Sequence, residues 1–228
     1  MTGLNPSVDT ILSISCILTN SDLAPLDSEG FNAVIHHTPQ QLSQMSEWCI
    51  KTHGDSGLTQ ECTSSSTSAA EAAEQLLNYI KHFIPEPRRA LLAGNSIHAD
   101  RSFLMVEPWD RILEHLHYRL FDVSAMKEMV RRWGSDQVLM AAPRKELRHT
   151  AREDVLESIQ EAQYYKTLIE GLSFVPTNLG NLAPLPAQPV ILGSPTKQQQ
   201  EALDMLRNNG TKTGDIGTRG DGFRTDVP

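Results

Sequence analysis

The chain has 228 residues, of which 39% are hydrophobic and 21% are charged, and its formal net charge is −8. This length and composition exclude wholesale disorder and predict one globular domain with a tail. No apolar run approaches the length of a membrane span, and polar residues follow Met1, so neither a membrane segment nor a signal or transit peptide is expected. The three cysteines are too few and too scattered to predict a disulfide framework or a zinc site.

Charge is distributed unevenly along the chain. Residues 1–83 contain two Lys/Arg and nine Asp/Glu, residues 84–170 contain 13 and 14, and residues 171–228 contain five of each. A protein that tracks along a long duplex usually has a basic face, and no segment here has an excess of cations. Any nucleic-acid partner is therefore expected to be short and bound locally.

The N-terminal segment carries strand and turn signals. A turn in "MTGLNP" leads into a predicted strand at 9–19, and the side chain of Asn20 suits the hairpin turn that follows. Further strands are predicted at 24–27 and 32–36. Together these segments predict an antiparallel meander.

Helical and strand patterns alternate in the next part of the chain. Ser68 and Glu71 form a capping box before a helix that runs to Phe83. The other predicted elements are short helices within 39–58, a strand at 89–94, a helix from Ser96 or Ala99, a strand at 118–124, a helix that is capped by Ser124 and runs through Trp133, a loop at 134–148 and a helix at 150–169. This order predicts an α/β fold, with a mixed sheet flanked by helices.

The composition changes near residue 172. Residues 171–228 contain eight of the 14 glycines and six of the 13 prolines, and they lack hydrophobic periodicity. This pattern predicts a folded domain at residues 1–172 and a disordered tail at residues 173–228.

Two segments follow predicted strands and contain residues that could bind ligands. In "AGNSIHADRSFL" (93–104), Asp100 enters a helix, where an acid can either hold a metal ion or cap the helix. In "HYRLFDVS" (117–124), Arg119 offers forked donors that suit a phosphate, although it could equally be a surface residue paired with an acid.

A third segment, "RHTAREDVLESI" (148–159), spans the start of the last predicted helix. His149 and Asp154 lie close to the helix start and could serve as a general base and a metal ligand. Alternatively, Thr150 and Glu153 could form a cap beside a surface histidine.

Five segments in order carry a resemblance to a known family. They are "MTGL" at the start, "QLSQMSEWCIKTHGDSGL" (41–58), "GNSIHADRSFL" (94–104), "HYRLFDVSAMKEMVRRW" (117–133) and "HTAREDVLESIQEAQYY" (149–165). With this spacing the chain resembles the oligoribonuclease family from Met1 to about Leu168. That family belongs to the DEDDh class of 3′-to-5′ exonucleases, so the resemblance implies an RNase H-like mixed sheet flanked by helices.

The resemblance implies a two-metal hydrolysis of very short RNAs to nucleoside 5′-monophosphates. In the family, four carboxylates hold two Mg²⁺ or Mn²⁺ ions beside the scissile phosphate, and a histidine acts as general base. Asp100 corresponds to the third carboxylate, Asp154 to the fourth and His149 to the histidine.

The resemblance also implies a site for short single-stranded RNA and a homodimer. Leu4 and Trp48 would hold the bases from opposite sides, because stacking is strong and tolerant of sequence. The residues implied to bind substrate are Thr2, Leu4, Trp48, His53, Ser96, Arg119, Ser124 and, from the partner subunit, Tyr118. Of these, His53, Ser96, Arg119 and Ser124 would hold the 5′-phosphate. The family further implies a mitochondrial or cytoplasmic location.

The segment "MTGL" implies that the first strand of the family fold is missing from this sequence. In the family these residues end a longer motif, Asp-x-Glu-Met-Thr-Gly-Leu, whose two acids are the first two metal ligands. Mg²⁺ needs well-placed oxygens, and only Asp100 and Asp154 remain, so the chain as written is expected to be inactive and to fold poorly alone. The alternative function is a non-catalytic remnant that binds oligonucleotides or dimerises.

Overall fold

The computed structural model describes residues 1–143 and 150–171, which form an α/β domain. The elements of these residues are, in chain order, β1 (Ser13–Cys16), β2 (Phe31–Val34), α1 (Pro39–Leu42), α2 (Glu47–Asp55), α3 (Leu58–Ser64), α4 (Ala69–Phe83), β3 (Leu91–Gly94), α5 (Ile97–Leu104), α6 (Asp110–His115), β4 (His117–Asp122), α7 (Val123–Trp133), α8 (Asp136–Met140) and α9 (Ala151–Gly171). The predicted α/β class is confirmed.

The described strands form one antiparallel pair and one parallel pair. β1 and β2 run antiparallel, with Ile14 opposite Ala33. β3 and β4 run parallel, with Gly94 opposite Asp122, and the chain between them passes through α5 and α6. Parallel strands end at the same edge of a sheet, so the residues that follow β3 and β4 are brought together.

Helix α4 contributes much of the largest hydrophobic core. Ser68 accepts from the Glu71 N–H while the Glu71 side chain returns to the Ser68 N–H, which confirms the predicted capping box. Behind this cap, apolar residues recur at helical spacing and are buried against Ile11, Phe103 and Trp109. The buried residues of the helix are Ala72, Ala73, Leu76, Leu77 and Ile80.

Helix α9 packs on α7 and also contacts β1 and β3. Its residues Ala162 and Tyr165 are buried with Val123 of α7. The Tyr165 hydroxyl donates to Glu161, whose buried carboxylate also pairs with Lys127 Nζ at 3.1 Å. A buried carboxylate needs such partners, so these contacts tie α9 to α7.

Several predicted elements are shorter or differently placed than expected. The strand predicted at 9–19 is regular only at Ser13–Cys16, and ahead of it Thr2 pairs with Thr10. The segment predicted as a strand at 24–27 makes a single bridge, Thr19 to Pro25.

Two further expectations for loops and caps were wrong. The loop predicted at 134–148 contains α8, which begins after the cap residue Ser135. Ser124 does not cap α7; Asp122 does, and its side chain accepts from the Ser124 N–H. The predicted tail at residues 173–228 lies outside the described residues.

In the part of the chain that the structure describes, no helix combines the length and apolar character needed to span a bilayer.

Candidate active site

The parallel ends of β3 and β4 bring two of the predicted substrate residues into contact. The Ser96 N–H donates to Ser124 Oγ at 3.0 Å and to Asp122 Oδ1 at 3.1 Å. The two hydroxyl oxygens of Ser96 and Ser124 are 3.3 Å apart. These residues are 28 positions apart in sequence, so the strand register is what joins them.

Ser96 has an unusual backbone conformation. Its φ is 51°, in the left-handed region, which costs a residue with a side chain about 1 kcal/mol or more. This conformation turns its N–H toward Asp122 and Ser124, and these two acceptors hold the turn in place. The strained residue therefore lies at the predicted phosphate position.

Asp100 lies one turn into α5 and is half-buried. The N-cap position of α5 is Ser96, so the capping alternative for Asp100 does not hold. Burial raises the pKa of the Asp100 carboxyl, and the nearby Asp154 charge raises it further. Its own backbone N–H, the Met1 ammonium and His98 act in the opposite direction. Asp100 and Asp154 therefore lie close enough to interact electrostatically.

Asp154 lies in the first turn of α9 and is exposed. The cap is made by its neighbours, because Thr150 Oγ1 accepts from the Glu153 N–H and donates to the Glu153 carboxylate at 2.8 Å. The predicted alternative of a Thr150–Glu153 cap is therefore present, and it coexists with Asp154 near Asp100. The predicted general base, His149, lies outside the described residues.

The chemistry of Asp100 and Asp154 fits a divalent cation. Mg²⁺ prefers oxygen ligands and is commonly bound by one or two carboxylates together with water and substrate phosphates. A cation would also relieve the repulsion between the two acids. Within residues 1–143 and 150–171, no group of three or more His, Cys, Asp or Glu side chains could hold a metal ion. The pair therefore fits an ion that keeps several waters.

The residues predicted to hold the bases are exposed on separate elements. The side chain of Trp48 on α2 is 55% exposed, and that of Leu4 in the N-terminal turn is 72% exposed. Thr2 lies in the same turn, where its Oγ1 donates to Asp9 Oδ1 at 3.0 Å. Exposed apolar groups of this kind are accessible for stacking.

His53 links α2 to the N-terminal segment. Its Nε2 lies 3.1 Å from the carbonyl oxygen of Met1. Burial lowers the pKa of the His53 imidazole, and the charge of the Met1 ammonium lowers it further. In this position His53 holds the turn that carries Leu4 beside the helix that carries Trp48.

Arg119 and Tyr118 form a surface stack on β4. Tyr118 is 73% exposed, and its ring stacks on His117 with centroids 4.5 Å apart. The Arg119 guanidinium carbon lies 5.3 Å from the centroid of the Tyr118 ring, within the range of a cation–π interaction. The structure therefore places the predicted phosphate arginine next to the residue predicted to reach a partner subunit.

A cavity of about 230 Å³ opens between the β1–β2 sheet and the first turn of α9. Thr150 and Arg152 line it on the α9 side, and Ser56 and Leu58 line it beyond the end of α2. The segment that joins α2 to α3 and the first turn of α9 therefore approach the same cavity.

Sequence reasoning missed the residues that anchor α9. Arg152 donates to the backbone carbonyls of Ser28 and Glu29 in the β1–β2 connection. Asn95 donates to Ser158 Oγ at 2.9 Å, one turn beyond Asp154. Asn95 has a signal, since it follows the β3 strand directly, whereas nothing local to Arg152 indicates a partner more than 100 residues away.

These features agree with a comparison against protein families. The model of the family described as Exonuclease matches residues 1–162 of this chain. The chain therefore belongs to the exonuclease family.

Comparison with curated proteins narrows the class to the oligoribonucleases. The chain is 46% identical to a probable oligoribonuclease of Schizosaccharomyces pombe over 73% of this chain and 64% of that protein. It is 42% identical to a mitochondrial oligoribonuclease of Saccharomyces cerevisiae, over 72% and 63% respectively. It is 41% identical to an oligoribonuclease of Nocardia farcinica, over 73% and 76%. The chain thus spans just under two thirds of the two yeast proteins, and the predicted resemblance is confirmed.

Proposed function

We propose that the chain acts in 3′-to-5′ exonucleolytic hydrolysis of very short RNAs, releasing nucleoside 5′-monophosphates. The observation that carries this proposal is the series of hydrogen bonds that joins Ser124 through Asn95 and Ser158 to the backbone of Asp154, in a chain that matches the exonuclease family. The Ser96 hydroxyl and the Arg119 guanidinium can donate to phosphate oxygens, and Asp100 and Asp154 can attract a cation, which together suit a phosphodiester.

The side chains divide into groups that bind and groups that react. Trp48 and Leu4 hold the bases of the 3′ end, which is sequence-tolerant because every base has a stacking face. Ser96 and Arg119 donate to the 5′-phosphate, which limits the substrate to a few nucleotides. His149 takes a proton from the attacking water, whose oxygen bonds to phosphorus as the bond to the 3′-oxygen breaks.

Asp100 and Asp154 would hold Mg²⁺, or Mn²⁺ in its place. The ion, when bound, makes water more acidic and stabilises charge on the phosphate oxygens. The two carboxylates contribute the negative field that attracts the ion, and they lie in the first turns of α5 and α9.

The proposal extends to the partner subunit and to the cellular location of this chain. Tyr118 is exposed on β4 and would complete the substrate site of a second copy, which makes the working unit a homodimer. The S. cerevisiae and Bos taurus relatives are named mitochondrial oligoribonucleases, and the N. farcinica relative is bacterial; on that basis we place this chain in mitochondria or in the cytoplasm.

Hydrolysis of a 5′-phosphorylated RNA dinucleotide in the presence of Mg²⁺ tests the proposal. Two proteins are compared: the 228-residue chain and the same chain preceded by a strand carrying Asp-x-Glu, which we call the extended chain. We expect the extended chain to release nucleoside 5′-monophosphates. Binding of the dinucleotide by the extended chain without any hydrolysis would reject the enzyme.

Within the extended chain, Arg119→Ala should act on substrate capture. A charge-assisted hydrogen bond to the 5′-phosphate is lost, so KM should rise about tenfold or more while kcat changes little. The matched control is Arg132→Ala on α7, whose guanidinium pairs with Glu128 at 3.3 Å. Equal effects of the two substitutions would contradict the role given to Arg119.

A second candidate function is binding without hydrolysis, either of oligonucleotides or of another copy. The exposed Trp48 and the Tyr118–Arg119 stack favour it, because neither needs a metal ion to bind bases or phosphates. The same dinucleotide assay separates the two functions, since this candidate predicts affinity without products in both chains.

A further inference from the structure

Asn95 lies between the two parts of the candidate site. Its Oδ1 accepts from Ser124 Oγ at 3.1 Å, and its Nδ2 donates to Ser158 Oγ at 2.9 Å. Ser158 Oγ in turn donates to the carbonyl oxygen of Asp154 at 2.7 Å. A single amide therefore connects the serine pair to the helical turn that carries a metal-ligand candidate.

The direction of these hydrogen bonds follows from the donors available. A hydroxyl has one hydrogen, and Ser158 gives its hydrogen to a carbonyl oxygen that can only accept. Ser158 Oγ must therefore accept from Asn95, which orients the amide nitrogen toward α9 and the amide oxygen toward Ser124. Since that oxygen can only accept, Ser124 donates to it.

This orientation assigns different roles to the two serines. The hydrogen of Ser124 is committed to Asn95, and its oxygen accepts from the Ser96 N–H at 3.0 Å. A phosphate needs donors, and the Ser96 hydroxyl contacts Ser124 only weakly, at 3.3 Å. Ser96 is therefore the hydroxyl that a phosphate oxygen can recruit without breaking the connection to α9.

We propose that Asn95 is a positioning residue that acts through Ser158 to hold the Asp154 turn in place for a divalent cation. The inference rests on the proposed function, because it assumes that Asp154 binds the ion. Polar partners behind a metal ligand orient it, and their removal typically lowers metal affinity by about 10-fold to 100-fold. Asn95 is half-buried in the turn that directly follows β3, and its amide is held by the hydrogen bonds to Ser124 and Ser158.

The experiment measures binding, not turnover, in the 228-residue chain. Calorimetric titrations with Mg²⁺ are run in the presence of a 5′-phosphorylated RNA dinucleotide. Titrations with phosphorylated and unphosphorylated dinucleotides are run without metal. The variants are Asn95→Ala, Ser158→Ala and Ser158→Thr, and the matched control is Asn32→Ala, whose amide bonds Ser15 Oγ at 2.7 Å in the β1–β2 pair.

We expect Ser158→Ala to raise the Mg²⁺ concentration at half-saturation about tenfold. Its preference for the 5′-phosphorylated dinucleotide should remain, because the Ser96–Ser124 contacts are untouched. Asn95→Ala should match it in the Mg²⁺ titration. Ser158→Thr should restore Mg²⁺ binding, since a threonine hydroxyl in a helix can bond the carbonyl one turn earlier. Asn32→Ala should behave like the parent chain.

Failure of the inference and failure of the proposed function give different results. If the parent chain binds Mg²⁺ and dinucleotide and both alanine variants titrate like it, the role of Asn95 is overturned and the proposed function stands. If Ser158→Ala also loses the phosphate preference and threonine does not rescue it, the residue supports the fold generally and the role is again overturned. If the parent binds neither ligand, the inference is overturned, whereas the proposed function is judged separately by hydrolysis in the extended chain.

Discussion

Replacing Asp100 with asparagine is expected to abolish hydrolysis and, at the same time, to stabilise the metal-free protein. In the extended chain, the loss of a ligand carboxylate should lower kcat on the dinucleotide by about 10³ or more, the size expected when a main electrostatic group of an active site is removed. In the 228-residue chain without metal, the same change removes a half-buried charge that burial and the charge of Asp154 both disfavour. The melting temperature should therefore rise, by about 2–4 °C for each kcal/mol gained.

The pH dependence of this stabilisation has a defined sign. The pKa of Asp100 is raised in the folded state, chiefly by burial, so ionisation of this group opposes folding. The cost is fully present above the raised pKa and disappears as the pH falls toward the ordinary carboxyl value near 4. The advantage of Asp100→Asn should accordingly be largest at neutral pH and shrink in acid.

Thermal unfolding monitored by circular dichroism between pH 4 and pH 7.5 measures this effect. Glu114→Gln is a matched control, since it neutralises an exposed carboxylate on α6. Added Mg²⁺ should stabilise the parent and not the Asp100→Asn variant, because only the parent keeps both oxygen donors. A variant that melts below the parent at neutral pH would contradict the assignment of Asp100 as a strained ligand.

The second large effect is expected from Trp48→Ala, which should weaken binding of the dinucleotide about 10-fold to 100-fold. Stacking of a base on an aromatic ring contributes about 1–3 kcal/mol, and this indole is exposed on α2 where a base can reach it. Truncation of an exposed side chain should leave the melting temperature nearly unchanged. Fluorescence titration with a labelled dinucleotide in the 228-residue chain gives the dissociation constants.

Stacking and phosphate binding can be separated in the same titration. Trp48→Ala should weaken phosphorylated and unphosphorylated dinucleotides equally, whereas Arg119→Ala should weaken only the phosphorylated one. Trp48→Phe should retain most of the affinity, because a ring remains. Trp133→Ala, which removes an exposed indole from the end of α7, is the matched control and should change neither constant. Equal losses of affinity from Trp48→Phe and Trp48→Ala would show that stacking on the ring is not the source of the binding energy.

Local sequence patterns predicted the helices that are stabilised by interactions between residues close together in sequence. The capping box of Ser68 and the apolar spacing behind it predicted α4, and the Thr150 cap predicted the start of α9. The short helices α3, α6 and α8 were not predicted, since one or two turns have little intrinsic stability and depend on tertiary contacts.

The residues of the candidate site also divide into those with a local sequence signal and those without one. Asp100 and Ser124 could be named from local patterns, and Ser96 from the family resemblance. Their partners could not. The bond from Asn95 to Ser158 spans 63 residues of sequence, and that from Arg152 to Glu29 spans 123. Such pairs follow from the register of β3 with β4 and from the packing of α9, neither of which a single sequence displays.

The left-handed backbone of Ser96 restricts what evolution or a protein engineer can place there. Threonine would keep the hydroxyl, yet its branched β-carbon clashes in this conformation, whereas glycine or asparagine would fit the turn but supply different chemistry. At Ser124, inside the first turn of α7, threonine meets no such obstacle. The two hydroxyls are in contact, yet different substitutions are tolerated at Ser96 and at Ser124. The backbone conformation at each position sets this difference, and the ligand does not.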